Sequence, residues 1–257
     1  MLTLTDHGAP GRAADATPLL IVHGLFGSGR NWGVIARRLS DDWRVLTPDM
    51  RNHGDSPRTE THSYPDLAAD LAEVIDSVGG RAHVVGHSMG GKAAMMLALL
   101  HPEKVASLLV ADIAPVSYSH SQQRFIDAMR AVDLTTVTKR SDAVTQLARH
   151  VDDPALQSFF TQSLDVKARA WKYNLDTLER EMPQILSFPR IDAAYSGPTL
   201  FLSGGRSDYV RTEHRDTIRG LFPKARFAKI PQAGHWLHAD DPRAFEASVR
   251  AFLKAVG

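Results

Sequence analysis

Cysteine is absent from the 257 residues, which excludes disulfides, thiolate metal sites and a cysteine nucleophile. An excess of charge of either sign is missing too. With 30 basic against 29 acidic residues and a formal net charge of +1, no global field favours nucleic acid or a membrane surface. Long hydrophobic runs are lacking: the longest, Ala93 to Leu100, is far too short to span a bilayer. The opening stretch MLTLTDHGAPGRAADATP does not have the charged-then-apolar order of a secretory leader, so a cytoplasmic location is expected. Internal repeats and low-complexity tracts are also missing. What remains is an ordinary 43% hydrophobic content on a length that suits one large α/β domain or a domain with an insertion.

Patterning supports the second of these. Leu19 to Val22 reads as a buried strand, Asn31 to Leu39 as a helix, Trp43 to Thr47 as a strand and Tyr64 to Val78 as a helix with apolar residues at helical spacing. A strand and helix around Ser88 and a strand at Val105 to Val110 follow. Aliphatic strands each followed by a helix predict a doubly wound, mostly parallel sheet covered on both faces. From Ser117 the pattern becomes helix after helix. One stripe runs through Phe125, Ile126, Met129 and Val132, and another through Val144, Leu147, Ala148 and Val151 with Ser141 as its cap. A third helix opens at Asp153-Pro154, and a fourth is marked by Trp171, Leu175, Leu178, Met182 and Ile185. Alternation resumes with Thr199 to Leu202, Glu213 to Leu221, Arg226 to Ile230 and Pro242 to Ala255. The expected organisation is a core of 1–116 and 189–257 with an all-helical insertion, 117–188.

The densest chemical signal lies in RAHVVGHSMGGKAAMMLALL, Arg81 to Leu100. A serine between two glycines at a strand-to-helix turn is presented above the sheet edge, where the following helix directs its N-terminal partial positive charge. Gly86, Gly91 and Lys92 also fit the first seven positions of a phosphate-binding loop. The eighth, which should offer a magnesium-binding hydroxyl, is Ala93, and a bulky His-Ser-Met fills the cradle.

Ser88 needs a base of near-neutral pKa, which points to histidine. Of 12 histidines, His235 in Gln-Ala-Gly-His-Trp follows the last predicted strand, at the same end of a parallel sheet as Ser88. His23 and His87 flank the site within glycine turns and read as structural; His53 and His238 have weaker claims. The acid that orients the imidazole is either Asp112, after strand Val105 to Val110, or Asp208, after strand Thr199 to Leu202; each keeps the chain order Ser, Asp, His. An oxyanion needs two fixed backbone donors. The Met89 amide is one, and Leu25 in His23-Gly24-Leu25-Phe26-Gly27 is the other, with Phe26 its neighbouring alternative. Asp49 to Ser56 reads as scaffold.

Together these segments resemble the α/β-hydrolase family. More narrowly they are similar to capped esterases of the YbfF and abhydrolase-domain-11 type, through HGLFGS at His23, DMRNHGDSP at Asp49, GHSMGGK at Gly86, DIAPVSY at Asp112, WKYNL at Trp171 and GHWLH at Gly234. The resemblance covers nearly the whole chain and implies a cap inserted after the sixth strand. The narrower resemblance favours Asp112 as the acid and implies Ser207 as an assisting fourth member, whereas the wider family's usual placement, after the strand ending near Leu202, favours Asp208; Asp112 is ranked first. The narrower resemblance also implies Arg124 and Tyr209 as substrate anchors. Phe125, Met129, Phe159, Phe160 and Trp171 are candidates to line an acyl pocket.

The expected function is a serine hydrolase that cleaves carboxylic esters or thioesters through an acyl-enzyme. No metal or organic cofactor is required. The expected partner is a small-molecule acyl substrate rather than nucleic acid, on a monomer or weak homo-oligomer. The rivals are other chemistry in the same pocket (C–C hydrolysis or cofactor-free haloperoxidation) and a non-catalytic ligand-binding role. Because residue 88 is not Asp, halide or epoxide opening by a carboxylate is disfavoured.

Overall fold

Short aliphatic runs become strands, and their order in space decides which loops meet. The computed structural model describes residues 1–8 and 17–256. Residues 9–16, part of the stretch read above for a leader, lie outside them. In chain order the strands are β1 (Leu4–Asp6), β2 (Leu19–Val22), β3 (Val45–Pro48), β4 (Ala82–His87), β5 (Val105–Ala111), β6 (Leu164–Asp165), β7 (Ala170–Trp171), β8 (Thr199–Gly204) and β9 (Ala225–Ile230). Seven of them form one sheet in the order β1-β3-β2-β4-β5-β8-β9. It is parallel except for β1, which runs antiparallel to β3.

Helices α1 (Gly33–Leu39), α2 (Tyr64–Ser77) and α3 (Met89–Leu100) return the chain between the early strands. An excursion from β5 to β8 holds α4 (Gln123–Arg130), α5 (Arg140–Leu147), α6 (Pro154–Thr161), α7 (Leu175–Arg180) and α8 (Met182–Leu186). Helices α9 (Arg215–Leu221), α10 (Leu237–Asp240) and α11 (Pro242–Val256) complete the chain. Strand side chains alternate between two apolar layers, as the pleat requires. Leu20, Val22, Val84 and Val110 face α2 and α3, whereas Leu19, Ile21, Val85 and Leu109 face α1 and α11. Each such buried aliphatic contributes about 1.5–3 kcal/mol, so both layers are needed to hold the sheet. Helix α3 is apolar on nearly every side because it is enclosed between the sheet, α2 and the excursion.

Three features depart from expectation. First, the excursion is not all helical: β6 and β7 form a two-residue antiparallel ribbon, with Leu164 opposite Trp171. Such a ribbon is too short to show periodicity. Trp171 therefore belongs to a strand, and the expected fourth helix starts later and divides at Glu181, where Pro183 opens a new helix. Second, among the described residues only β1 precedes β2, so the excursion follows the fifth strand of the sheet, not the sixth. Third, α5 begins at Arg140, and its cap is the Asp142 carboxylate, which accepts the Thr138 and Lys139 amides at 2.9 and 3.1 Å; Ser141 lies inside the first turn. Asp153 caps α6 as expected, accepting the Ala155 amide at 2.8 Å. No helix among the described residues is long and apolar enough to cross a membrane.

Candidate active site

Parallel strands deliver their C-terminal loops to one edge, and the register brings specific residues there. Val22 of β2 pairs with Gly86 of β4, His87 with Ala111 of β5, and Ala111 with Leu202 of β8. Ser88, Asp112, the Gly204–Tyr209 loop and the loop after β9 therefore converge. Ser88 sits at φ 52 and ψ −121, a conformation in which a side-chain-bearing residue is strained. The strain is held in place by its neighbours. The Ser88 amide donates to Ala111 O at 3.1 Å, and its carbonyl accepts the Lys92 amide at 3.0 Å. The turn closes this tightly only because positions 86 and 90 have no Cβ: one added at either would lie 2.3 Å from a backbone carbonyl oxygen, that of Gly90 or His23.

The Ser88 hydroxyl lies 3.0 Å from His235 Nε2. His235 Nδ1 donates to Asp112 Oδ2 at 2.8 Å, leaving Nε2 as the acceptor. Asp112 is fully buried, and Oδ1 accepts the Gly204 amide at 2.9 Å while Oδ2 also accepts the Ser207 hydroxyl. A buried carboxylate is thus met by three donors, so both of its oxygens have partners away from water. Asp208 is elsewhere. Its side chain is 78% exposed at the edge of the cavity described below and pairs with Arg211 at 3.1 Å, with no hydrogen bond to the imidazole.

Tyr209 stacks on the His235 ring, with centroids 3.9 Å apart and planes at 18°. On another side His87 approaches to 4.9 Å, and its Nε2 donates to His235 O at 2.8 Å. Burial pushes His87 well below the ordinary histidine range, so this neighbour is neutral. His23, His53 and His238 are held low in the same way, at about 4, 3 and 3. His23 Nδ1 donates to Gly24 O at 2.8 Å and its Nε2 accepts the Met50 amide at 2.9 Å, a structural use.

Beside Ser88, the Leu25 and Met89 amides have no acceptor among the described residues and sit in the wall of the same cavity. Phe26, the alternative, does not fit as an oxyanion donor: its amide donates to His53 Nε2 at 3.1 Å. The cavity holds about 800 Å³ and runs from Ser88 towards the excursion. Phe125, Phe159 and Phe160 line it, but Met129 and Trp171 do not. Those two are packing residues, with Trp171 Nε1 donating to Met129 O at 2.9 Å. Arg124 is exposed at the rim, its guanidinium 4.6 Å from the Phe125 ring centroid.

Lys92 ends both the phosphate-loop pattern and the GHSMGGK segment, and neither assigns it a role. It is 1% exposed, one turn after Ser88, and burial pushes it down to about 7. Its Nζ donates to Leu186 O and Ser187 O at 2.9 and 2.7 Å and lies 4.8 Å from the Tyr118 ring centroid. It therefore joins both ends of the excursion to α3. An apolar run carrying a single lysine is the one signal in the sequence that could have found it. No group of three or more acidic, histidine or cysteine side chains among the described residues is placed to hold a metal.

A parallel sheet with this loop cluster at its edge defines a hydrolase fold, and residues 17–242 match the model of the alpha/beta hydrolase fold family. The chain belongs to the α/β-hydrolase fold family. Within it, the chain is 42% identical to the mouse sn-1-specific diacylglycerol lipase ABHD11 over 93% of its length and 82% of that protein. It is 37% identical to the Escherichia coli esterase YbfF, over 92% of this chain and 93% of that one. A solved marine microorganism esterase superposes with a TM-score of 0.91 at 38% identity and 98% coverage of both chains.

Proposed function

We propose that this chain is a serine esterase acting through an acyl-enzyme. The observation that carries the reading is the continuous run of contacts from the Ser88 hydroxyl through the two nitrogens of His235 to buried Asp112. Ser88 Oγ attacks the ester carbonyl carbon while His235 Nε2 takes its proton. Asp112 holds the imidazole in the accepting tautomer and stabilises the imidazolium, and Ser207 supports Asp112. The tetrahedral oxyanion is received by the Leu25 and Met89 amides. His235 then protonates the leaving alcohol or thiol. Water, deprotonated by the same nitrogen, releases the acid and restores Ser88.

Residues 117–188 act in this reading as the cap that closes the acyl pocket, with Phe125, Phe159 and Phe160 supplying apolar wall. Tyr209 keeps the imidazole in place, and Arg124 at the rim offers a fork for a carboxylate or phosphate on the acyl donor. A fluorophosphonate should label the wild-type chain, which should also hydrolyse short p-nitrophenyl esters. Ser88→Ala should lose both. A wild-type chain that neither labels nor turns over refutes the proposal.

A further inference from the structure

Three motifs singled out in the sequence have no role in the reaction as described: the Phe26 turn, the Asn52-His53 pair and Tyr173-Asn174. In the structure they form one unit. Phe26 has φ 59, a left-handed backbone that a bulky residue keeps only when its surroundings enforce it. Both of its peptide groups are held. Its N–H donates to His53 Nε2 at 3.1 Å, and its carbonyl accepts the hydroxyl of Tyr173, from the excursion, at 2.5 Å. Tyr173 is 2% exposed, and an antiparallel bridge to His53 sets its position. Asn174 reinforces that bridge: its amide donates to Asn52 O at 2.9 Å and its Nδ2 to Asn52 Oδ1 at 3.0 Å.

The bond from Tyr173 reaches the oxyanion site through two planar peptides. In a trans peptide the C=O and N–H point in opposite directions, so holding one aims the other. With Phe26 O held by Tyr173, the N–H of the same peptide, on Gly27, points back and donates to Gly24 O at 3.0 Å. Gly24 O belongs to the peptide whose N–H is that of Leu25. Fixing that oxygen, with help from His23 Nδ1 at 2.8 Å, fixes the direction of the Leu25 donor.

We propose that Tyr173 is a positioning residue for the oxyanion site. Its hydroxyl aims the Leu25 amide through the Phe26–Gly27 peptide, so that the excursion must be seated before the chain is competent for catalysis. The inference rests on the serine-esterase reading. A misaimed donor weakens the transition state far more than substrate binding, so kcat should fall while KM holds.

The experiment compares Tyr173→Phe with Tyr195→Phe in the full chain. Tyr195 is also buried and donates its hydroxyl to a backbone carbonyl, Val105 O at 3.0 Å, away from the cavity. Both variants remove a buried hydroxyl that donates to a backbone carbonyl. Tyr173→Phe should lower kcat on p-nitrophenyl butyrate, and the rate of fluorophosphonate labelling, by about 10- to 100-fold with KM within about twofold. Tyr195→Phe should lose melting temperature and no kcat. If Tyr173→Phe does not fold, Asn174→Ser replaces it, with the same expected split. An unchanged kcat, a loss confined to KM, or an equal loss in Tyr195→Phe overturns the inference while leaving the esterase reading intact. A wild-type chain without labelling or turnover removes both.

Discussion

Replacing Asp112 by asparagine changes one atom, and the groups around that atom dictate the outcome. Oδ1 accepts the Gly204 amide at 2.9 Å, and a backbone N–H cannot turn into an acceptor. The carboxamide oxygen must therefore stay on that side, and the new NH2 replaces Oδ2, which now accepts from His235 Nδ1 at 2.8 Å. Two donors cannot face each other, so Nδ1 gives up its proton and Nε2 acquires one. The nitrogen 3.0 Å from Ser88 then has no lone pair to receive the hydroxyl proton. A wrong-tautomer defect of this kind costs about 10⁴ in kcat, or about 5 kcal/mol of barrier. The assay is steady-state hydrolysis of p-nitrophenyl butyrate by folded Asp112→Asn beside Asp208→Asn. The second variant should stay within about twofold, because its carboxylate only pairs with Arg211 at the surface. An Asp112→Asn enzyme keeping more than about a tenth of wild-type kcat, or an equal loss in Asp208→Asn, refutes the reasoning.

Arg124→Ala should raise KM for a p-nitrophenyl ester whose acyl chain ends in a carboxylate by about tenfold relative to the neutral butyrate, read from initial rates. Burial pushes Lys92 down to about 7 from an unfolded value of 10.5, so above pH 7 the unfolded chain binds the extra proton. Urea unfolding of wild type against Lys92→Met should therefore show the wild type gaining relative stability as pH rises from 7 towards 10.5, and no such trend below 7. Gly90→Ala would push a methyl to 2.3 Å from His23 O and should cost about 2–3 kcal/mol in the same assay. Gly33→Ala meets open space at the start of α1 with φ −54 and should gain about 0.5–1 kcal/mol.

The parallel sheet is legible in the sequence because its central strands are aliphatic runs followed by a helical period. Edge strand β1 is not, since three residues with one half-buried leucine carry no pattern. The meeting of Ser88 and His235 is foreseeable because strand-to-helix turns of a parallel sheet share one edge. The choice between Asp112 and Asp208 is not readable from spacing, as both follow strands. It turns on β5 lying directly beside β4, and on a turn after β8 that faces solvent. Leu25 against Phe26 is decided by His53, 27 residues away in the chain, and no local signal reports that bond. The ribbon at Trp171 and the anchoring by Lys92 are likewise long-range facts, set by contacts across the excursion.

The imidazole of His235 lies in a slot, with the Tyr209 ring on its face and neutral His87 close by. Swinging out of plane would mean displacing one of them. The motion left to the ring is a slide within its own plane, towards or away from the serine oxygen. Under the proposed mechanism the base is thus asked for a short shuttle and denied an excursion into water.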